Sequence, residues 1–381
     1  MKLAFSKGDL LNAIQIVQSS ISTKSTLPIL SNFLIQAEKI SKNSNAVARI
    51  EATDLEVGVR STVKAEILEE GKTTIPAKKF SELVREMPEG KEIEISTGEG
   101  KRVELKCGKI KASLLSLSPE DFPVIPAFPE NKSFKLKKST FQEMIKKTYF
   151  AVSFDETRYI LNGIYFVVGQ GELKMVATDG RRLAFISRNG ADESLTASVI
   201  IPSKAIGELL RLLPSENNEK EDWVQVAPYE NQISFKWMSQ GEEIMLVSRV
   251  IDGTFPNYEQ VIPKLKEVEL KLKSSDIFSA VKRAALFAQD RGGSVRFSLA
   301  KKNLRISANA QSVGEEEEEL EVDYDGPNFE IAFNPTFLLD VLKNSDSTEI
   351  LFEFSSSLNP GLIKPGGNGS YLCVIMPMRL Q

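Results

Sequence analysis

The sequence predicts an α+β protein in which one unit is repeated three times. Four kinds of segment recur, in the same order and about 125–136 residues apart, in each third of the 381-residue chain. Two of the four have the apolar spacing of an amphipathic helix, and the other two are rich in the β-branched and aromatic residues that favour strands. Helices and strands do not alternate regularly, which indicates an α+β rather than an α/β architecture.

The first recurring segment predicts a short strand, a capping residue and an amphipathic helix. Ser, Thr or Asp stands near the start of each helix, where its side chain accepts hydrogen bonds from the first N–H groups, and apolar residues then follow on one helix face. The three copies are FSKGDLLNAIQIVQSSI from Phe5, LKKSTFQEMIKKTYFAVS from Leu136 and LKSSDIFSAVKRAALFAQ from Leu272.

The second and third recurring segments predict strands, because Val, Ile, Thr and aromatic residues are frequent in them. The second is LPILSNFLIQA from Leu27, RYILNGIYFVV from Arg158 and GSVRFSLA from Gly293. The third is IEATDLEVGVR from Ile50, MVATDGRRLAFIS from Met175 and RISANAQSVGEEEEEL from Arg305. Each third of the chain is therefore expected to carry several short strands.

The fourth recurring segment predicts a second helix in each unit. An apolar entry is followed by a Pro or polar break and then by apolar residues at helical spacing. Pro or Ser at the entry suits a helix start, and Pro after the first two copies suits a stop. The copies are TIPAKKFSELVREMP from Thr74, IIPSKAIGELLRLLP from Ile200 and IAFNPTFLLDVLKNS from Ile331.

Two proline-containing stretches mark the seams between the units. They are PVIPAFPENK at Pro123–Lys132 and PNYEQVIPKLK at Pro256–Lys266. Such stretches are typical of connections between domains. We therefore predict three domains, at residues 1–128, 129–264 and 265–381.

The chain contains no histidine, which excludes several kinds of catalytic site. Ser-His-Asp and Cys-His nucleophiles, and zinc sites that use His, all need an imidazole. The sequence also lacks phosphate-binding loops of the GxxxxGK[ST] and GxGxxG types. Magnesium held by carboxylates stays open, with Asp323 and Asp325 as candidate ligands. Paired acidic residues are common by chance, so we predict neither a metal nor a cofactor.

The sequence predicts a cytoplasmic protein. It has no apolar window of about 18 residues, so no membrane span is predicted. The N-terminal MKLAFSKGDLLNAIQ turns polar too early for a signal peptide. The two cysteines, Cys107 and Cys373, lack metal-type spacing and do not suggest a disulfide framework.

Positive charge is concentrated on the predicted helix segments, although the chain carries a net charge of −4. This distribution suits a surface that holds a phosphate backbone, but lysines on solvated helix faces give the same pattern. An acidic run, Glu315–Glu319, stands apart from the helices. The cations are Lys78, Lys79, Arg85, Lys137, Lys138, Lys146, Lys147, Lys204, Arg211, Lys282 and Arg283.

Several long motifs resemble those of one family. They are TLPILSNFLI, ATDLEVGVR, DETRYILNG, ATDGRRLA, DGTFPNYEQVIP and the C-terminal VIMPMRL. Together with the threefold repeat, they resemble the bacterial DNA polymerase III beta subunit family of replicative sliding clamps. The resemblance extends from Met1 to Leu380 without a large gap.

The resemblance implies a ring-shaped homodimer. Each chain would supply three DNA-clamp domains, with two helices per domain lining a central hole and antiparallel sheets outside. Duplex DNA would pass through the hole and be held through its backbone, independently of sequence. The implied function is non-catalytic: the ring tethers DNA polymerase III to its template and so confers processivity in DNA replication.

The resemblance also implies a pocket that receives short peptides. The implied partners are the polymerase III alpha subunit, the clamp loader, other polymerases and repair proteins. Arg181 stands where the family often has His, which would alter peptide preference. The matching positions are Leu161, Thr178, Gly180, Arg181, Arg182, Leu183, Pro256, Val261, Val374, Met376, Pro377, Met378, Arg379 and Leu380.

DNA contacts carry over from the family to four positions, Lys24, Arg158, Tyr159 and Lys204. Asp155 falls where a neutral or polar residue is common, which would weaken the contact made by its loop. The dimer interface would lie between the edges of the first and third domains, with charge pairs steering the joint and apolar contacts carrying more of its affinity. Its implied members are Lys79, Lys109, Lys111, Leu114, Leu286, Phe287, Glu315, Glu316, Glu317, Glu318 and Glu319.

Two other classes of function stay open from the residues. One is a metal-dependent nucleotidyl-transfer enzyme that uses Asp323 and Asp325. The other is a repeat scaffold that binds only protein peptides. A solvated strand is likewise an alternative for the acidic run, because charge runs are usually exposed.

Overall fold

The computed structural model describes residues 1–22, 26–38, 47–190, 195–213, 223–288, 293–310, 314–367 and 369–379. The helices are α1 Lys7–Val17, α2 Ala77–Arg85, α3 Lys138–Tyr149, α4 Ser203–Leu212, α5 Ser274–Ala284 and α6 Pro335–Lys343. Short 3-10 segments lie at Gln18–Ser20, Pro28–Ser31, Pro119–Asp121, Glu130–Lys132, Glu156–Leu161, Tyr258–Gln260 and Ala285–Phe287.

The described residues also form strands along the whole chain. They are β1 Lys2–Ser6, β2 Asn32–Glu38, β3 Val47–Thr53, β4 Val57–Lys64, β5 Glu66–Glu69, β6 Gly71–Pro76, β7 Glu92–Gly98, β8 Arg102–Cys107, β9 Ile110–Leu115, β10 Phe134–Lys137, β11 Gly163–Gly169, β12 Glu172–Thr178, β13 Arg182–Asn189, β14 Ala197–Pro202, β15 Trp223–Tyr229, β16 Gln232–Ser239, β17 Glu242–Arg249, β18 Val268–Lys273, β19 Val295–Ala300, β20 Asn303–Ala310, β21 Gly314–Glu321, β22 Phe329–Phe333, β23 Glu349–Phe354, β24 Gly361–Pro365 and β25 Tyr371–Ile375.

All six predicted helices are present, and their starts have local causes. The Ser6 hydroxyl accepts a hydrogen bond of 3.1 Å from the Asp9 nitrogen at the start of α1. At the start of α6, the Asn334 side chain accepts one of 2.9 Å from the Thr336 nitrogen, and Pro335 occupies the first helical position. The helix predictions are therefore confirmed.

The first compact unit comprises residues 1–139 and 207–250. It contains a five-stranded sheet of order β5-β1-β7-β8-β9 and an eight-stranded sheet of order β10-β15-β16-β17-β4-β3-β2-β6. Strands β17 and β4 pair antiparallel, from Glu243 opposite Thr62 to Ser248 opposite Val57. This pairing makes one sheet from strands that belong to two different repeats.

The second compact unit comprises residues 140–206 and 251–381. Its eight-stranded sheet has the order β14-β11-β12-β13-β25-β24-β23-β18, and its four-stranded sheet has the order β21-β20-β19-β22. Strands β13 and β25 pair antiparallel, from Arg182 opposite Ile375 to Ile186 opposite Tyr371. The compact units thus follow the sheets rather than the repeats, and the domain limits at residues 128 and 264 stay a prediction.

Apolar side chains form the core of both units, and the largest fully buried side chains among the described residues are ten Phe and two Leu. Cys107 and Cys373 are both buried and free. None of the described helices is long and apolar enough to span a membrane.

Candidate functional site

The C-terminal segment is fixed by main-chain hydrogen bonds within the second unit. Leu183 of β13 lies opposite Val374 of β25. Beyond the last strand residue, the Met376 nitrogen donates a bond of 2.8 Å to the Arg181 carbonyl, and the Met378 nitrogen donates one of 2.7 Å to the Ala332 carbonyl. The apolar end of the chain is therefore an ordered edge.

The turn before β13 is held by a dense set of short-range hydrogen bonds. The Thr178 hydroxyl donates to the Arg182 carbonyl at 2.6 Å, and the Asp179 carboxylate accepts from the Arg181 and Arg182 nitrogens at 2.9 and 3.0 Å. Gly180 has φ +83°, a left-handed conformation that Gly adopts without steric cost. We call residues 178–182 the wall turn, since it stands beside Met376.

An apolar cluster lies beneath the wall turn and β25. Its buried members are Val176, Leu183, Ile200, Phe255, Leu362, Leu372 and Val374, and Ile160, Leu161, Tyr165, Phe185, Ile251, Tyr258 and Ile262 pack against them partly exposed. The ring of Phe255 stacks on Tyr165 with centroids 4.9 Å apart. Stacked aromatic rings give a stiff base, which favours a preformed site.

A cavity of about 570 Å³ adjoins this cluster. Val261 and Met376 line it, and both were predicted from the sequence. Its other lining residues were not predicted: Gln260, Ile262, Pro263, Lys264, Leu265, Ser355, Asn359 and Pro360. Pro263 and Pro360 were the sequence features that could have indicated these residues, because each proline stiffens a segment that borders the cavity.

The structure brings most of the predicted pocket residues to this region. Leu161, Thr178, Gly180, Arg181, Leu183, Val261, Val374 and Met376 belong to the wall turn, the apolar cluster or the cavity lining. Pro256 is exposed beside the buried Phe255, Pro377 and Met378 are half-buried, and Arg379 is exposed. Leu380 lies outside the described residues.

Arg182 differs from the other predicted pocket residues, because its charge is satisfied inside the protein. Its side chain is only 11% exposed, and its guanidinium lies 3.2 Å from the Asp179 carboxylate and 2.5 Å from that of Asp340. It also donates to the Phe150 carbonyl and lies over the Phe337 ring at 4.5 Å. Arg182 thus supports the wall turn through its side chain.

Arg158, a predicted DNA contact, sits beside the same wall turn. Its Nε donates to an Asp155 carboxylate oxygen at 3.0 Å, and its Nη1 donates to the Asp179 carbonyl at 2.8 Å. Two hydrogen bonds from Thr157 and the guanidinium of Arg158 lower the pKa of the Asp155 carboxyl. The Arg158 side chain is 46% exposed, so its charge is shared between the protein and solvent.

The other predicted DNA contacts lie on separate elements. Tyr159 is exposed next to Arg158, and Lys204 is exposed in the first turn of α4. Lys24 lies outside the described residues.

Several helix cations are engaged within the chain. The Lys138 ammonium is buried and donates to the Met238 carbonyl at 2.8 Å. Lys147 is buried between Glu143 at 2.7 Å and Asp346 at 3.2 Å. Neither lysine can be part of an exposed basic face. The interpretation that helix cations form a phosphate-binding surface is therefore wrong for Lys138 and Lys147. Lys146 and Lys282 are exposed on α3 and α5.

The predicted interface residues lie at two sheet edges, on α2 and in the turn after α5. Lys109, Lys111 and Leu114 lie in or beside the edge strand β9, and Glu315–Glu319 lie in the edge strand β21. Lys79 pairs with Glu82 at 2.8 Å. Leu286 is exposed and Phe287 is half-buried in the 3-10 turn after α5.

The acidic run is partly neutralised within its own chain. Arg283 donates two hydrogen bonds of 2.8 and 2.7 Å to Glu318, and Arg305 lies 3.4 Å from Glu317 and 3.7 Å from Glu319. The pairing of this run with Lys79, Lys109 and Lys111 of a partner chain stays a prediction. Glu315 and Glu316 have no ion pair among the described residues.

The candidate magnesium ligands form no cluster in the structure. Asp325 lies 3.3 Å from the Lys301 ammonium, and the buried Tyr324 separates it from Asp323 along the chain. Across the described residues, no group of three or more Cys, Asp or Glu is arranged to hold a metal ion.

Comparisons with known proteins identify a single family. Family profiles for the N-terminal, central and C-terminal domains of the DNA polymerase III beta subunit match residues 1–126, 135–257 and 259–379. The beta sliding clamp of Chlamydia muridarum is 36% identical over 382 residues, which cover 100% of both chains.

Solved structures agree with the profile matches. The DNA polymerase III beta subunit of Pseudomonas aeruginosa is 32% identical, with a TM-score of 0.91 and 100% of both chains covered. A sliding clamp of the same organism, solved bound to griselimycin, has a TM-score of 0.89 at 32% identity over 100% of both chains. The α+β fold of three clamp domains is thereby confirmed, and the chain belongs to the DNA polymerase III beta subunit family of sliding clamps.

Proposed function

We propose that two copies of this chain join head to tail into a ring around duplex DNA and hold DNA polymerase III on its template. The protein itself does no chemistry and needs no cofactor. Tethering acts through effective concentration, since a polymerase that releases the primer end stays close to it. We place the protein in the cytoplasm and take residues 1–128, 129–264 and 265–381 as its clamp domains.

The observation that carries the dimer is the order of strands in the sheets. Each repeat contributes two half-sheets. The last strand of one half-sheet is β9 in the first repeat, β17 in the second and β25 in the third. The last strand of the other half-sheet is β4, β13 and β21, in the same order. Two of these six pair within the chain as β17–β4, and two as β13–β25. The remaining β9 and β21 are edge strands, and pairing β9 of one chain with β21 of another would repeat the same joint.

Side-chain chemistry at these two edges supports the proposal. β9 carries the cation Lys111 and follows Lys109, whereas β21 carries the glutamates of the acidic run. Leu114 on β9 and the exposed Leu286 after α5 supply apolar area. Opposite charges steer the encounter and fix its register, while desolvated apolar contacts give most of the affinity.

DNA would be held by backbone charge. Arg158, Tyr159 and Lys204, with Lys24, are the proposed contacts, and the exposed Lys146 and Lys282 add positive helix surface. Contacts of this kind depend on salt and carry no sequence information, which permits sliding.

The pocket formed by the wall turn, the apolar cluster and Met376 would receive short apolar peptides. Met side chains adapt to varied partners, and a preformed site lowers the entropy lost on binding. The partners we propose are the polymerase III alpha subunit, the clamp loader, other polymerases and repair proteins, which would compete for this one site.

Retention on DNA of different topology tests the function. The protein is loaded onto a nicked circular plasmid by a clamp loader, and its dissociation is followed before and after the circle is cut once. A ring should stay on the circle and leave rapidly after linearisation. Equal retention on both forms would contradict encirclement, and nucleotide incorporation by the protein alone would point to an enzyme.

A further inference from the structure

Arg158 touches the wall turn on one side and solvent on the other. Its Nη1 donates to the Asp179 carbonyl at 2.8 Å. A Cβ atom built on Gly180 would lie 2.9 Å from the same nitrogen, so the guanidinium fills the space beside the turn's main chain. A hydrogen bond and a close packing contact, both made by Nη1, therefore join Arg158 to the turn.

The wall turn in turn fixes the edge of the pocket. The Arg181 carbonyl accepts the 2.8 Å hydrogen bond from the Met376 nitrogen. The segment that carries Arg158 also contributes Ile160 and Leu161 to the apolar cluster beneath the pocket. A displacement of Arg158 would thus shift the wall turn and the cluster residues that border the proposed peptide site.

The exposed side of Arg158 offers its charge to an anion. A guanidinium binds phosphate best through two N–H groups in one plane. In the free protein Nε is engaged by Asp155 and Nη1 by Asp179. Nη1 keeps a second N–H beside those of Nη2, so a phosphate can bind the Nη1–Nη2 edge and pull on the same nitrogen that holds the Asp179 carbonyl.

We propose that Arg158 couples the two proposed sites, so that a DNA phosphate draws its guanidinium away from the Asp179 carbonyl, the wall turn loosens, and the pocket binds peptide less tightly. The proposal rests on the proposed function, because it assumes DNA at Arg158 and peptide beside Met376. The DNA-free and DNA-bound states differ in whether the Arg158 guanidinium binds the Asp179 carbonyl or a phosphate. By linkage, peptide in the pocket weakens DNA binding by the same factor.

The test compares peptide affinity on and off DNA. A fluorescently labelled peptide from the polymerase III alpha subunit is titrated with free protein and with protein loaded on a nicked circular plasmid. We expect binding about fivefold weaker on DNA, a coupling of ordinary size. In Arg158→Ala the free protein should bind peptide more weakly, and the difference between the two forms should vanish.

Two further variants separate coupling from other effects. Arg158→Lys keeps the charge but loses the planar fork, so it should retain only part of the difference. Lys204→Ala removes a proposed DNA contact on another element, so it should weaken DNA binding and keep the difference in peptide affinity. Thermal unfolding of each variant verifies that it is folded.

Each contrary outcome identifies what failed. Equal peptide affinity on and off DNA in the wild-type protein would overturn the coupling. A difference that persists in Arg158→Ala would also overturn it, because DNA would then be blocking the pocket directly. Failure of the free wild-type protein to bind the peptide would overturn the pocket itself, and the coupling with it.

Discussion

The main-chain nitrogen of Met376 donates a 2.8 Å hydrogen bond to the carbonyl oxygen of Arg181. This bond extends the β13–β25 ladder by one residue, since Arg182 lies opposite Ile375. The position of Met376 is therefore set by the sheet, while its exposed side chain stays available to a ligand. The two residues were far apart in sequence and were both predicted to border the pocket.

Deletion of Met376–Gln381 should abolish stimulation of the polymerase and leave the dimer intact. The deletion removes one edge of the pocket, whereas the proposed dimer edges β9 and β21 are untouched. Stimulation is measured by primer extension on a singly primed circle, and the oligomer by light scattering. A monomeric truncated protein would contradict the pocket assignment.

The point variant Met376→Ala provides the milder form of this test. It keeps the main-chain bond to Arg181, so the fold should be unaffected. Loss of a central apolar contact should weaken peptide binding about tenfold. Unchanged affinity would show that the peptide does not contact this side chain.

Replacing Leu286 by Asp and Phe287 by Lys should convert the dimer into a monomer of 42.3 kDa. Leu286 is 59% exposed, and burying an aspartate there in a dimer would cost more than the joint gains. Leu358, which is 77% exposed, provides a matched control as Leu358→Asp. A dimer that survives the double substitution in light scattering at micromolar concentration would count against the interface.

Glu242→Gln should stabilise the first unit at high pH and have little effect at low pH. The carboxylate is 7% exposed and accepts hydrogen bonds from Asn12 at 3.2 Å and Ser61 at 3.4 Å. Burial and, to a smaller extent, the charge of Asp9 raise its pKa to about 7, against the opposing effects of the Ser61 and Asn12 hydrogen bonds and the charge of Lys64. No ion pair to Glu242 exists among the described residues.

The direction of this pH dependence of stability follows from the raised pKa of Glu242. Below the ordinary value of 4.5 the carboxyl is neutral in both states, and as pH rises through about 7 the folded protein loses stability. The loss should be on the order of 2–3 kcal/mol. Urea unfolding at pH 5 and pH 8 measures it, and a gain from the Gln variant that is equal at both pH values would refute the assignment.

Asp155→Asn should strengthen DNA binding. The Asp155 carboxylate lies 3.0 Å from the Arg158 Nε and neutralises a charge that would otherwise meet a phosphate. Asn keeps an oxygen for the Thr157 nitrogen, so the loop should hold its shape. We expect affinity for duplex DNA to rise about threefold at low salt and the gain to shrink as salt increases.

Glu156→Gln is the matched control for Asp155→Asn. It changes the net charge by the same amount one residue away, and Glu156 makes no ion pair with any described residue. Equal gains from both variants would mean that general repulsion, rather than the pairing of Asp155 with Arg158, limits DNA binding. Fluorescence anisotropy with a labelled duplex measures both.

Helix positions and the threefold repeat could be predicted from the sequence because their causes are local. A cap such as Ser6, a helix-starting Pro335 and apolar spacing all act within a few residues of one another. The terminal VIMPM stretch was predicted as a binding edge through the family resemblance, and the structure brings Met376 to the wall turn. The other lining residues, at positions 260, 262–265, 355, 359 and 360, were missed, since no periodic pattern marks them.

The sequence by itself determined which elements form, and that the chain repeats. Only the tertiary structure decided where each charge goes. Arg182 pairs with Asp340, 158 residues away, and Arg283 pairs with Glu318, 35 residues away. Such partners meet only after strand register and helix packing are fixed. An arginine can therefore be a buried support, as Arg182 is, or a partly exposed group, as Arg158 is.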